Sequence, residues 1–351
     1  MSARLLAEEL TETKVIHMVE PLIIPAKKGS DSSSLLMKRA AHIRWKGINF
    51  ADKYLIEFES NFSRRGGIVH WAFNEKEIAD DLKLLLKKKN LKLNISLYST
   101  NDPALLKISK NENGKQAWLI NAGYLMADPG GVTFSLPEGY RLPEGDDLIL
   151  VASVDRVLPS LSSLETMIRL RNGESTTSLN LVFGRTSADS EVHVFITENK
   201  AAEMMAVKSH RSLLHCIGCN NCFMHPSGTR MVDELKLQAL DRSGEKITDS
   251  FSFTLDGRHS SVCPINIHFE KLLLLNRQSS VNRNHVPSSE KWFYFFWTKA
   301  AARKNKMPVP GRSLDFYVNS IFIKSDLKLR KPLQPARKPF SKLWKEISGF
   351  N

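Results

Sequence analysis

Cys216, Cys219 and Cys222 stand at C-x2-C-x2-C spacing, and the only other cysteine of the chain, Cys263, lies directly before Pro264. Three thiolates so close together can take three corners of an iron–sulfur cubane, and Gly218 between them lets the chain turn tightly. The fourth iron then needs a remote ligand. In two-cluster bacterial ferredoxins the last cysteine of each C-x2-C-x2-C-x3-C-P run ligates the other cluster, so an isolated Cys-Pro is the expected partner. This assignment uses all four cysteines and expects one [4Fe-4S] cluster on Cys216, Cys219, Cys222 and Cys263. Four thiolates can also hold zinc, although zinc sites usually pair two C-x2-C halves. An unoccupied relic is the third reading.

The same spacing counted back from Cys263 places Phe253, Asp256 and His259 where three further cysteines would stand. The first motif correspondingly ends in Phe223-Met224-His225-Pro226, with His225 in place of a cysteine that would have served a second cluster. One cluster is kept and one is gone. His225 is read as a tolerated surface residue or a donor near the sulfur atoms, and Asp256 and His259 as parts of a solvated loop.

The elements that must position these thiols follow from periodicity. Asn49–Arg65 carries Tyr54, Leu55, Phe58 and Phe62 at helical spacing and ends at Gly66-Gly67. Ile68–Ala72 reads as a buried strand, Asn74 and Glu77 as the capping start of a helix to about Lys89, and Leu93–Tyr98 as the next strand. Further strands are expected at Ala117–Leu125, Val132–Leu136, Leu148–Val154, Leu179–Phe183 and Val192–Thr197. The turn Asp128-Pro129-Gly130-Gly131 and a helix from about Ser160 to Arg171 lie among them. The rhythm is α/β, with a parallel or mixed sheet. Past about residue 200 it becomes helical, irregular through the cysteines, and helical again over Ile267–Arg277. No glycine-rich phosphate loop occurs.

An apolar fraction of 42 % in 351 residues suits globular domains and excludes a globally disordered chain. No apolar stretch reaches the length of a membrane span. The N-terminus lacks the apolar region of a secretory signal, so a cytoplasmic location with reduced cysteines is expected. Residues 282–351 hold 15 Lys and Arg against 4 Asp and Glu, which is +11 of the chain's +13. The basicity belongs to the tail. There Trp292–Trp297 is followed by Lys299, Arg303, Lys304 and Lys306. The preferred reading is an amphipathic helix with its aromatic face packed on the body or a partner; the alternative is binding to nucleic acid or an anionic surface.

Four stretches together resemble the iron–sulfur subunit of bacterial lactate utilisation, the lactate-utilisation protein B family. They are Phe58–Phe62 leading into Arg65–Ala72, Ala152–Leu161, the cysteine region through Cys263–His268 into Glu270 and Leu272–Leu275, and Pro335–Trp344. The resemblance implies a LUD domain of the NagB/RpiA/CoA-transferase type, followed by a mainly helical ferredoxin-type region. It divides the chain into a flexible leader (1–40), a shortened LUD α/β domain (41–203), a 4Fe-4S region (204–280) and a basic helical tail (281–351). The chain resembles a divergent member, with one complete cluster motif where the family has two and a shorter stretch between Tyr98 and Trp118.

The activity so implied is electron transfer in the oxidation of L-lactate to pyruvate, in company with a cysteine-rich iron–sulfur subunit and a second LUD protein. The competing reading is a non-catalytic assembly subunit in which a cluster or zinc is a staple. No specific nucleic-acid partner is expected, and the basic tail is available to an anionic membrane surface. No catalytic constellation stands out, so the chain reads as a non-autonomous oxidoreductase subunit. His70 is expected to be a hydrogen-bonded core residue and Arg185 to cap a hairpin.

Overall fold

The computed structural model describes residues 20–24, 32–94, 97–98, 115–137, 142–143, 145–172, 177–222, 230–241 and 253–283. It also describes residues 288, 292, 295, 298, 299, 344, 346 and 347. Its centre is a nine-stranded mixed sheet. Strand β1 (Glu20–Ile24) precedes α1 (Ser32–Asn49), α2 (Ala51–Arg64), β2 (Ile68–Ala72), α3 (Glu75–Lys89), β3 (Leu91–Asn94) and β4 (Lys115–Asp128). Then come β5 (Gly131–Phe134), β6 (Asp147–Ser153), a 3-10 turn (Val154–Arg156), β7 (Val157–Ser160), α4 (Leu161–Asn172), β8 (Thr177–Val182) and β9 (Val192–Thr197). The chain closes its described part with α5 (Asn199–Ala206), a second 3-10 turn (Arg211–His215), α6 (Met231–Leu240), α7 (Arg258–Ser261) and α8 (Phe269–Asn282).

The expected α/β rhythm is present, and β3, β4, β6, β9 and β2 lie side by side in parallel. Strand β4 is longer than its apolar core suggests because it serves two neighbourhoods. Ala117–Asn121 pairs with β6, and beyond a register shift at Ala122–Leu125 the strand turns into an antiparallel hairpin with β5. That second half also carries β7, while β5 leads outward through β8 to β1.

Helix α3 starts as its sequence dictates: Asn74 accepts the Glu77 N–H at 3.0 Å, and Glu77 accepts the Phe73 N–H at 2.7 Å. Its apolar stripe, Ile78, Ala79, Leu82 and Leu86, covers one face of the parallel strands against Leu119, Ile149, Val151 and Phe195. Helix α2 covers the opposite face with Phe58 and Phe62, both fully buried and stacked at 5.3 Å. Each such burial stabilises by about 1.5–3 kcal/mol. Gly66, at φ 76°, lets this helix stop at once, while a Cβ on Gly67 would stand 2.2 Å from the Phe62 ring.

The leader expected over residues 1–40 contains structure: β1 joins the sheet edge beside β8, and α1 begins at Ser32. Pro21 hides the strand in the sequence, although proline is tolerated on an edge. The helix is hidden for another reason. Its buried positions, Ala40, Ile43, Arg44, Gly47 and Ile48, follow helical spacing, but an arginine and a glycine break the apolar stripe. Gly47 is required because a Cβ there would meet the Val157 carbonyl oxygen at 2.6 Å. Strand β3 is shifted toward the N-terminus of the expected Leu93–Tyr98, beginning just after Asn90 in the left-handed conformation at φ 51°.

His70 is hydrogen-bonded as expected, its Nε2 3.0 Å from His193 Nδ1, but it is half-buried on the edge strand β2. Arg185 donates to the Ser190 carbonyl at 3.1 Å within its own loop, yet it caps no hairpin, because the flanking strands β8 and β9 pair with other strands and not with each other. Most of the basic tail lies outside the described residues. Within it, Trp292 and Phe295 meet edge to face at 5.9 Å, and Lys299 stands 4.3 Å over the Phe295 ring. Both aromatics are exposed, at 60 % and 46 %; the rest of the aromatic run, on which the expected packing on the body or a partner also depends, lies outside the described residues. Among the described residues no helix is long and apolar enough to cross a membrane.

Candidate metal centre

The segment holding the cysteines does not form a separate core. Met231, Leu235, Phe253, Phe269, Leu272 and Leu273 continue the same apolar cluster as Phe58, Ile120, Leu148 and Val194 of the sheet. Cys222 belongs to that cluster, with Cys216 packed against it. Cys219 packs instead on the second cluster, built on α1 and α4, and Cys263 touches both. The four cysteines therefore lie along the seam between two apolar cores.

Local geometry follows from small residues. Gly218 at φ 71° and Asn220 at φ 61° adopt the left-handed conformation on either side of Cys219, which wraps the loop within a few residues. Asn266, at φ 56°, turns the chain after Cys263 in the same way. Each turn brings a backbone N–H to sulfur. Gly218 N–H reaches Cys216 Sγ at 3.3 Å and Ile267 N–H reaches Cys263 Sγ at 3.4 Å. The Val232 N–H, in the first turn of α6, serves Cys222.

No disulfide joins any of the four cysteines. Burial, first, pushes the Cys222 thiol up, the Val232 N–H opposes it, and Cys216, Cys219 and Cys263 raise it further. Burial likewise raises Cys263, against the N–H groups of Ile267 and Ile265, with Cys216 and Cys219 adding to the rise. Thiolates collected in a dry place repel one another, and a cationic metal core among them removes that penalty. Sulfur donors, N–H groups aimed at sulfur, and an apolar surround fit an iron–sulfur cluster. Among the described residues no group of three or more His, Cys, Asp or Glu that could hold a metal ion is formed.

Arg44 positions this loop, and nothing in its sequence neighbourhood announces it. It is fully buried and donates to the carbonyls of Leu214 at 2.5 Å, Asp155 at 2.7 Å and His215 at 3.2 Å. Two of those carbonyls belong to the residues immediately before Cys216. Burial lowers the Arg44 pKa, while Tyr124, Asp155 and Cys216 favour its charge. The Tyr124 hydroxyl donates to the Ile217 carbonyl at 3.2 Å and pins the loop's next residue. A buried chain from His210 to Asn276 (2.7 Å) and Asn276 to Gln238 (3.0 Å) fastens α8 and α6 to the turn that enters the loop. His215 is held neutral, its pKa pushed down to about 4 by burial and by the charges of Arg44 and Arg211.

The three positions read from the sequence as a lost second motif differ from one another. Phe253 is buried in the main core and its carbonyl accepts from Arg277 at 2.6 Å. Asp256 is solvated as expected, accepting from Thr254 at 2.9 Å and from the Arg258 N–H at 3.1 Å. His259 is not solvated. It is buried at 8 % exposure, edge-on to Phe269, with Nδ1 lacking a partner. The short helix α7 turns it inward, which a loop reading of the sequence does not foresee. His225 lies outside the described residues.

The stretches that carry the family resemblance act as packing devices where they are described. Asn61 donates to the Ala127 carbonyl at 2.9 Å and Arg65 donates to the Pro129 carbonyl, so α2 grips the β4–β5 hairpin. Ala152–Leu161 supplies Asp155, whose carbonyl accepts from Arg44.

No protein-family model and no curated protein matches the chain. A crystal structure of a DUF162 family protein from Deinococcus radiodurans is similar at a TM-score of 0.31 and 14 % identity, over 42 % of this chain and 98 % of that one.

Proposed function

We propose that this chain is an iron–sulfur electron-transfer subunit, holding one [4Fe-4S] cluster on Cys216, Cys219, Cys222 and Cys263, in a complex that oxidises L-lactate to pyruvate. The observation that carries the metal assignment is that Cys263, about forty residues on, packs on the same two apolar clusters as Cys216, Cys219 and Cys222. When bound, such a cluster carries single electrons at a potential set by its surroundings.

The chain's own residues set those surroundings. The Gly218 and Ile267 N–H groups stabilise negative charge on sulfur, and Arg44 and Arg156 place positive charge within reach of Cys216. Both effects favour the reduced state. Lactate gives up two electrons, so a second centre is needed. The partners that the family resemblance supplies are a cysteine-rich iron–sulfur subunit and a second LUD protein.

Anaerobic reconstitution tests the reading. The protein should take up about four irons per chain and turn brown, and Cys219→Ala should lose the chromophore. Full loading of a variant lacking Cys216, Cys219 and Cys222 together would sink it. With L-lactate, the chain alone should reduce no acceptor, whereas the chain with both partners should.

A second reading has its own support. Cys222 lies in the main core and Cys263 touches both cores, a placement suited to a cluster or zinc ion that staples an assembly subunit. A cluster that keeps one oxidation state at every accessible potential would select it.

A further inference from the structure

A cleft of about 530 Å3 opens outside the carboxyl ends of the parallel strands, where open α/β sheets take their ligands. Its volume is in the range of small-molecule sites. Asn121, Ser153 and Thr197 line it at the points where parallel pairing stops, and Ile217, Gly218 and Asn220 of the cysteine loop form a wall.

Two guanidinium groups line the cleft, those of Arg156 and Arg230, against one carboxylate, Glu75, which already has a partner. Arg230 uses Nε for Asp233 at 2.6 Å, and a Cβ at Gly218 would stand 4.0 Å from its Nη1, so that end of the fork faces the loop. Among the described residues Arg156 makes no hydrogen bond or ion pair. Burial works against its charge, and the field of Asp155, Tyr124, Cys216 and Asp233 outweighs that and holds it protonated. Thr197 adds an independent sign. It is 4 % exposed, lines the cleft, and its hydroxyl is buried without a hydrogen-bond partner. Such an orphan costs about 1–3 kcal/mol unless something satisfies it.

We propose that this cleft binds a small organic anion, its carboxylate or phosphate group held by Arg156 and Arg230 while another oxygen of the same molecule meets the Thr197 hydroxyl. Guanidinium forks match both oxyanions. The site does not require the cluster, although an anion bound there lies against the loop that carries Cys216 and Cys219.

Isothermal titration of the full chain, before and after anaerobic reconstitution, tests this. Glycolate and malate probe the carboxylate end and glycerol 3-phosphate the phosphate end. At least one should bind saturably at one per chain. Arg156→Gln and Arg230→Gln should each weaken it about tenfold or more, the loss expected for a charged hydrogen bond. Thr197→Val, which keeps the side-chain shape, should weaken it several-fold with a Tm that is unchanged or higher, since an unsatisfied hydroxyl is removed, and it carries the test if an arginine variant fails to fold. Which probe binds identifies the oxyanion. No binding of any probe at 10 mM, or equal binding by the folded variants, would overturn the proposal. Binding by a chain that takes up no iron would uphold it while sinking the cluster.

Discussion

Residues 216–222 and 253–259 each turn on a left-handed glycine, and the two segments come to opposite ends. In the first, Gly218 and Asn220 turn the backbone left-handed around Cys219, and the loop presents sulfur atoms. In the second, Gly257 is also left-handed, at φ 79°, yet the chain turns into a short helix that carries His259 inward, while Phe253, ahead of the turn, is buried in the core. A similar glycine turn therefore serves both a cysteine-bearing loop and a packing element. What separates them is whether the side chains are donors whose charge a metal can balance or groups that gain by leaving water. Once Phe253 fills the space, that run has become part of the core.

This contrast can be tested, beginning with the largest effect. Phe253→Ala should lower stability by about 3–5 kcal/mol, as for other buried aromatics cut to alanine, measured by urea denaturation. The folded variant should still take up the wild-type amount of iron. Iron loss without destabilisation would mean that Phe253 belongs to the metal site instead of the core.

An acid-sensitive group outside both runs gives the next effect. His193 is 1 % exposed, with its pKa lowered to about 4 by burial and by the charges of His70 and Lys89. Its Nε2 is 3.1 Å from Glu191 but is not aligned for a hydrogen bond. The folded pKa is below the ordinary value of 6.5, so the unfolded chain binds the proton first. Stability from this group is present above pH ~6.5 and is lost as pH falls toward about 4. The loss is on the order of 3 kcal/mol at the acid end. Urea midpoints followed through that window should fall, and His193→Gln should flatten the fall. An unchanged profile would place the acid sensitivity elsewhere.

The smallest effect belongs to His259. Its unpartnered Nδ1 means that His259→Leu should change stability by less than about 1 kcal/mol, or raise it, because an unsatisfied polar atom is removed. Loss of bound iron in this variant would break the contrast, since it would make the second run part of the first.

Much of this was legible in the residues. Val192–Thr197 and the Asn74 cap appear where local pattern puts them, because apolar runs and capping side chains act over a few residues. Ile68–Ala72 is a strand as its residues suggest, but it lies at the sheet edge, largely half-buried with Trp71 exposed, instead of buried as expected. Helix α1 was not legible, because its buried face contains Arg44 and Gly47. Those two make sense only when the carbonyls of residues 155, 157, 214 and 215 are in place. His259 was misjudged for a similar reason: its burial depends on Phe269, beyond the turn.

The sequence alone determined the donor chemistry: which residues bear thiols, how closely three of them follow one another, and that Cys263 must come from a distance. Spacing along a chain fixes such local matters. Tertiary structure decided that the thiols lie at a seam between two cores, that a buried arginine holds the entrance to their loop, and that the loop walls a cleft at the ends of the parallel strands. These depend on contacts between residues more than a hundred positions apart, as between Arg44 and Leu214. Such contacts are made by burial and carbonyl geometry, which leave no pattern in the local sequence.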